Sequence, residues 1–171
     1  MIRASKFDKA VALFSQALMK FEKYETLVME KRLGDLKHGE QIFLENKIGF
    51  SNLLYHMGSA LASLKKPQEA AQYYIQAIAR SPFAHVVDYS KREKKEGLLF
   101  KAAALKFNSL EALAQTYTNL GVMLMMIEKD ILVKDSNTEA LLDTAQEAFR
   151  RAIELNPDNS ESHINLGNVL R

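Results

Sequence analysis

Cysteine and tryptophan are absent from this chain, and its 171 residues include only 7 glycines and 3 prolines. Without cysteine the chain forms no disulfide, no zinc-thiolate site and no thiol nucleophile. The scarcity of glycine and proline disfavours a protein of short strands and tight turns, because those residues shape turns and interrupt helices. We therefore expect long helices in a protein of a reducing compartment.

An excess of charge is also missing, since 23 Lys and Arg stand against 21 Asp and Glu, a net charge of +2. Charge therefore gives no reason to expect nucleic acid or an anionic membrane as partner. The uncharged run 112–127 is shorter than the about 20 residues that cross a bilayer, and several of its side chains are polar. The N-terminus lacks the apolar core of a secretory signal. We predict no membrane insertion and an intracellular, cytoplasmic protein.

Apolar residues recur at helical spacing rather than alternating as they do in a half-buried strand. One such stripe consists of Ala145, Ala148, Phe149, Ala152 and Ile153. Capping side chains precede an acidic residue by one helical turn in three pairs, namely Asn108 with Glu111, Ser136 with Glu139, and Asp158 with Glu161. The pattern predicts an all-α fold.

A second pattern combines small, aromatic and proline residues at fixed spacing in residues 53–82 and again in residues 148–170. In the first segment it comprises Leu54, Met57, Gly58, Leu61, Ala70, Tyr74, Ala77 and Pro82. This arrangement resembles the tetratricopeptide repeat, a helix-turn-helix unit of about 34 residues. The resemblance implies that such repeats stack into a right-handed superhelix, an α-solenoid.

Close packing of the paired helices explains the small residues in this pattern. Gly58 and Ala70 are small where two helices are expected to cross, as are Gly121 and Ala145 in a second copy. We expect Tyr74 to fill the space between adjacent units.

The repeat pattern divides the chain into six segments. They are a half-repeat with only a second helix (1–22), a helical connector (23–50), a full repeat (51–84), a helical spacer or degenerate helix pair (85–113), a full repeat with an insertion (114–159) and a half-repeat with only a first helix (160–171). The first half-repeat matches the pattern at Ala10, Phe14 and Ala17, and the last at His163, Leu166, Gly167 and Leu170.

Half-repeats pose a packing problem, because stacked repeats bury their apolar faces only against neighbours. One explanation is that the chain is a piece of a longer superhelix. The other is head-to-tail self-association, in which the C-terminal half-repeat of one chain completes the N-terminal half-repeat of another. The sequence leaves both explanations open.

The insertion "EKDILVKDSNTE" lengthens the second full repeat. If each helix absorbs about six of its residues, each grows by about 9 Å and the hairpin protrudes. The apolar residues of this tip are Ile131, Leu132, Val133, Leu141 and Leu142. They either pair with each other or dock a partner.

Motifs for catalysis are missing from the sequence. The four histidines, His38, His56, His85 and His163, have no metal-binding spacing, and no phosphate-binding glycine loop or nucleophile elbow is present. We therefore predict that the protein is not an enzyme and holds no cofactor and no metal.

Tetratricopeptide-repeat proteins bind extended peptides or helices in a concave groove lined by their first helices, so the resemblance implies such a groove here. Its candidate residues are Tyr55, His56, Ser59, Thr118, Asn119, Val122, Asn165 and Asn168. Asn119 and Asn165 occupy the same place in their repeats, and an amide both donates and accepts hydrogen bonds. The pair is similar to the asparagine ladders of O-linked N-acetylglucosamine transferases and peroxisomal import receptors, although His56 interrupts the ladder.

The resemblance implies a scaffold or adaptor that binds a protein or peptide partner. Two alternatives are the substrate-recruiting arm of a larger enzyme, such as a glycosyltransferase, and a co-chaperone. The carboxylate clamp of co-chaperones uses two Lys, two Asn and an Arg, whereas its five positions here hold Tyr55, Ser59, Asn119, Glu161 and Asn165. Only Asn119 agrees with that clamp.

Overall fold

The computed structural model describes the backbone at residues 2–31, 36–84, 109–130 and 136–171, and side chains within 5–23, 45–84, 110–128 and 142–171. These ranges hold the helices α1 (Ile2–Lys31), α2 (Leu36–Ser63), α3 (Pro67–Arg80), α4 (Ser109–Asp130), α5 (Ser136–Leu155) and α6 (Ser160–Val169). All regular structure in the described ranges is helical, so the predicted all-α repeat fold is confirmed. Two compact units are present, Met1–Pro82 and Phe83–Arg171.

In the first unit α2 and α3 form a hairpin around a tight turn. The Lys66 amide donates to the Leu61 carbonyl (3.1 Å) and the Lys65 amide to the Ala62 carbonyl (3.0 Å), which satisfies the last carbonyls of α2. Lys65 adopts a left-handed φ of 59°, the conformation this motif requires. Pro67 then starts α3, where its missing amide proton leaves no bond unmade.

Helix α1 packs against α2 in the same unit. Phe50, Leu54 and Ala77 form a buried cluster, against which Leu18, Phe21, Tyr55 and Tyr73 pack. The rings of Phe21 and Phe50 stack with centroids 5.2 Å apart. Side chains from all three helices thus contribute to one core.

The predicted connector 23–50 contains the end of one helix and the start of the next. Helix α1 continues to Lys31, so the predicted boundary at residue 22 falls inside it. Helix α2 begins at Leu36 and runs far ahead of Ser51, where the first full repeat was predicted to start.

In the second unit α4 and α5 form a hairpin with a buried core that includes Leu120, Leu124, Ala148 and Ala152. Their lengths of 22 and 20 residues exceed the 14 residues of α3. Of the predicted tip, Ile131, Leu132 and Val133 and the side chain of Leu141 lie outside the described residues, while Leu142 is half-buried. Most of the predicted spacer, residues 85–108, also lies outside them.

Helix α6 begins one residue later than the capping pattern predicted. Asn159, rather than Asp158, is its N-cap, and the Asn159 side-chain oxygen accepts a hydrogen bond from the Ser162 amide at 3.1 Å. Asp158 instead lies in the preceding turn, where its amide donates to Asn156 Oδ1 at 3.2 Å. The Asn156 side chain therefore stabilises this turn, and Asn159 caps the helix in place of Asp158.

Candidate functional site

An aromatic ring covers a first-helix glycine in each hairpin. A Cβ added to Gly58 would lie 2.8 Å from the Tyr74 ring, and one added to Gly121 would lie 2.6 Å from the Phe149 ring. Each ring thus lies against the first helix of its own hairpin, and the expectation that Tyr74 fills the space between adjacent units stays a prediction. Because the two contacts are equivalent, the glycine and the aromatic residue occupy corresponding positions in the two hairpins.

In the first unit the predicted groove residues make packing contacts. Tyr55 is half-buried with its ring centroid 6.0 Å from that of Tyr74, and exposed His56 stacks on Phe14 at 6.2 Å. The Ser59 hydroxyl donates to the Tyr55 carbonyl (3.0 Å) and accepts from the Tyr74 hydroxyl (3.2 Å). These side chains hold the three helices together and leave Ser59 with little capacity for a ligand.

Thr118 does not fit its prediction as a groove residue, because its side chain is fully buried between α4 and α6. Its hydroxyl donates to the Ala114 carbonyl at 3.0 Å and lies 2.6 Å from the Ser162 hydroxyl. Asn159 Nδ2 donates to the same Thr118 oxygen at 3.2 Å. Since the single Thr118 proton goes to Ala114, Ser162 is the donor in the short contact. The network joins two helices, and both of its hydroxyl side chains, Thr118 and Ser162, are fully buried.

The other predicted residues of this unit keep accessible surface. Asn119 and Asn165 are half-buried, as is Val122, and Asn168 is exposed. Asn119 Oδ1 accepts from Gln115 Nε2 at 3.1 Å, and Asn168 Oδ1 accepts from Arg171 Nη2 at 2.9 Å. Within the described residues, the Asn119 amide nitrogen and the whole Asn165 amide have no hydrogen-bond partner.

Helical spacing places these accessible residues on one face of each helix, because side chains three and four positions apart are neighbours. We call this the amide surface and define it as Gln115, Asn119 and Val122 of α4 with Glu161, Asn165 and Asn168 of α6. Gln115 Nε2 also donates to Glu161 Oε2 at 3.4 Å, which links the two helices. The sequence reasoning missed Gln115 as a site residue, although it lies one helical turn before Asn119.

A charged cluster on α5 lies apart from the amide surface. Arg151 pairs with Glu147 (3.3 Å) and Glu154 (2.9 Å), and its hydrogen bond to Glu154 raises the pKa of the guanidinium. Burial raises the pKa of the nearby Tyr117 phenol, with the positive charge of Arg151 acting in the opposite direction. The Tyr117 side chain is therefore neutral at physiological pH and serves the α4–α5 packing.

Two further features of the described residues concern metals and membranes. Among those residues no group of three or more His, Asp and Glu side chains could hold a metal ion. The ring of His163, a candidate metal ligand by residue type, instead donates a hydrogen bond from its Nε2–H group to the Pro157 carbonyl oxygen at 2.9 Å. A helix with both the length and the apolar character to cross a membrane is not found in the described part of the chain.

Family models described as tetratricopeptide repeat match the chain at two places, residues 51–83 and residues 148–171. The first match covers the hairpin with the Gly58–Tyr74 contact, and the second covers α6 with the end of α5. The chain thus contains tetratricopeptide repeats at these two places. Repeats of this kind generally act as scaffolds for protein–protein interactions and are typically non-catalytic, so the repeats assign this protein to interaction scaffolds in general.

Solved structures similar to this repeat protein include MamA 41-end from Desulfovibrio magneticus RS-1, with 22% identity over 88% of this chain and 83% of the other. Another is the MamA RS-1 ArsTM double mutant, with 20% identity over 93% and 82% of the two chains. Both have a TM-score of 0.25, which is too low to carry an argument. A comparison with curated proteins finds no match.

Proposed function

We propose that this repeat protein is an adaptor that binds an extended peptide segment of a partner protein along the amide surface of α4 and α6. The observation that carries the proposal is the pair Asn119 and Asn165, whose side chains are half-buried and retain unused hydrogen-bonding groups. An extended peptide presents N–H and C=O groups along its length, and amide side chains pair with both.

The environment of the two asparagines favours binding over simple hydration. Both side chains are half-buried, which limits the conformational entropy lost when a ligand binds. The contact between Gln115 and Asn119 holds the Asn119 amide so that its nitrogen is the group left to donate. Val122 adds an apolar contact for a peptide side chain on the same face.

The charge of the amide surface disfavours an acidic ligand. Glu161 is the only ionisable residue among its six members, and its carboxylate is exposed. A carboxylate clamp requires Lys or Arg at such positions to pair with the ligand's C-terminus. The proposed ligand is therefore an internal extended segment that is neutral or basic, and a co-chaperone role is not favoured.

Selection of random-sequence peptides displayed on phage, followed by fluorescence anisotropy with the enriched peptides, tests the proposal. We expect Asn119→Ala and Asn165→Ala each to weaken binding by about 5-fold to 10-fold, as loss of a hydrogen bond worth about 1 to 1.5 kcal/mol requires. The matched control is Gln72→Ala, which removes an exposed amide from α3.

Three results would contradict the proposal. They are a selection that enriches no peptide, equal affinities for the two asparagine variants and the unchanged chain, and an effect of Gln72→Ala as large as theirs. Enrichment of peptides with an acidic C-terminus would instead support the co-chaperone alternative.

A further inference from the structure

One carboxylate lies on the amide surface, at Glu161 in the first turn of α6. Its Oε2 atom accepts a hydrogen bond from Gln115 Nε2 at 3.4 Å, and the same Gln115 nitrogen donates to Asn119 Oδ1 at 3.1 Å. Within the described residues, the second carboxylate oxygen of Glu161 accepts no hydrogen bond and no Lys or Arg forms an ion pair with it. A negative charge with an unused acceptor is therefore linked to Asn119 through one intervening side chain.

The accessibility of Glu161 follows from its place in the repeat. Gln115 occupies the equivalent place in α4, and it keeps accessible surface although α6 packs beside it. We therefore expect a helix packed against α6 in the same way to leave Glu161 accessible.

We propose that Glu161 selects a Lys or Arg side chain at one fixed position of the bound peptide, an inference that rests on the proposed function of the amide surface. Asn165 lies one helical turn from Glu161 on the same face, about 6 Å along the helix axis. That distance corresponds to about two residues of an extended peptide, which rises about 3.3 Å per residue. A basic side chain about two residues from the one that Asn165 binds therefore reaches the carboxylate, where it donates to the oxygen that Gln115 leaves unused.

The charges at the two ends of the amide surface support this position for the basic residue. At one end Glu111 is exposed one helical turn before Gln115, and it adds a second negative charge near Glu161. At the other end Arg171 Nη2 donates to Asn168 Oδ1 at 2.9 Å. A cation on the peptide is therefore attracted to the end with Glu161 and repelled from the end with Arg171.

Selection of random-sequence peptides displayed on phage against three versions of the full chain tests the proposal. They are the unchanged chain, Glu161→Gln, and the matched control Asp143→Asn, which removes the same charge from an exposed position of α5. Glutamine at position 161 keeps an oxygen that accepts from Gln115, so the hydrogen bonds within the amide surface are retained. We expect Lys or Arg to be enriched at one position with the unchanged chain and with the control, and this enrichment to disappear with Glu161→Gln.

Fluorescence anisotropy then measures the contact, using an enriched peptide and its derivative with glutamine in place of the basic residue. We expect the derivative to bind the unchanged chain about 2-fold to 5-fold more weakly than the parent peptide at low salt, as loss of an exposed ion pair requires. The two peptides should bind Glu161→Gln equally. The difference for the unchanged chain should shrink as salt is raised, because salt screens exposed charges.

Three results would overturn the proposal. They are the lack of any basic preference, a preference that persists with Glu161→Gln, and one that is lost equally with Asp143→Asn. Glu161 also lies where a negative charge stabilises the N-terminal end of α6, but loss of that role would affect all peptides alike. If Asn119→Ala weakens the binding of peptides that show no basic preference, only this inference fails, whereas a selection that enriches no peptide overturns the proposed function as well.

Discussion

At the scale of single residues, Gly58 and Gly121 show how the absence of a side chain allows two helices to pack closely. None of the described glycines has a positive φ, so backbone conformation does not explain their presence. The explanation is the aromatic ring that lies against each of them. A helical glycine costs about 0.5 to 1 kcal/mol relative to alanine, and the close approach of the partner helix offsets that cost.

Substitution by alanine should therefore have opposite effects at two glycines of the same unit. Gly121→Ala forces the Phe149 ring to move and should lower the free energy of unfolding by about 1 to 3 kcal/mol. Gly167→Ala meets no neighbour and should be neutral or stabilise by up to about 1 kcal/mol. Urea denaturation of dilute protein measures both, and equal destabilisation would mean that the ring contact is not the cause.

Phe149 is the complementary residue of this contact and is fully buried. Phe149→Ala should cost about 3 to 5 kcal/mol, because it removes a large apolar side chain and leaves a cavity over Gly121. Arg150→Ala, at the exposed neighbouring position, should change the free energy of unfolding by no more than about 0.5 kcal/mol. Thermal or urea unfolding distinguishes them, and similar effects would contradict the repeat register.

At the scale of elements, the contact between α4 and α6 depends on buried polar groups. The Thr118 oxygen of α4 forms hydrogen bonds with Ser162 and Asn159 at the start of α6. Buried polar groups are costly when unpaired, so the network permits few relative positions of the two helices. The orientation of α6, and with it that of Asn165, follows from this network.

A double-mutant cycle tests this coupling between the helices. Thr118→Val should destabilise by about 1 to 3 kcal/mol, because it removes the oxygen that accepts from the Ser162 hydroxyl and from Asn159 Nδ2. Combining it with Ser162→Ala should cost less than the sum of the single changes, with a coupling energy of about 0.5 to 3 kcal/mol. Thr116→Val is the control, since the Thr116 hydroxyl bonds only the Ala112 carbonyl of its own helix (2.8 Å). Additive effects for the Thr118 pair would refute the network.

At the scale of the whole molecule, the two compact units each contain a helical hairpin with the same glycine–aromatic contact. The net charge of +2 is small for a chain of 171 residues. Long-range attraction to polyanions, which depends on clustered positive charge, is correspondingly weak.

We therefore expect no measurable binding to duplex DNA at physiological salt. Electrophoretic mobility shift with the intact chain measures this. A shift that disappears as salt is raised would contradict the expectation, because release of counterions from phosphate contacts produces that dependence.

The candidate site was only partly predictable from sequence. Equivalent places in the repeats predicted Asn119 and Asn165, which remain accessible, but the same reasoning included Thr118, which is buried. A sequence pattern gives the face of a helix to within about one residue, whereas burial depends on the position of the neighbouring helix. Gln115 was missed because its contact with Glu161 joins residues of different helices.

The sequence by itself determined the helices and the pairing of α2 with α3 and of α4 with α5, because apolar periodicity, small residues and prolines are local in the chain. The tertiary structure alone decided where Tyr74 packs, which residue caps α6 and which groove candidates remain accessible. Those outcomes depend on distances between side chains far apart in sequence, such as Thr118 and Ser162, and no local pattern encodes them.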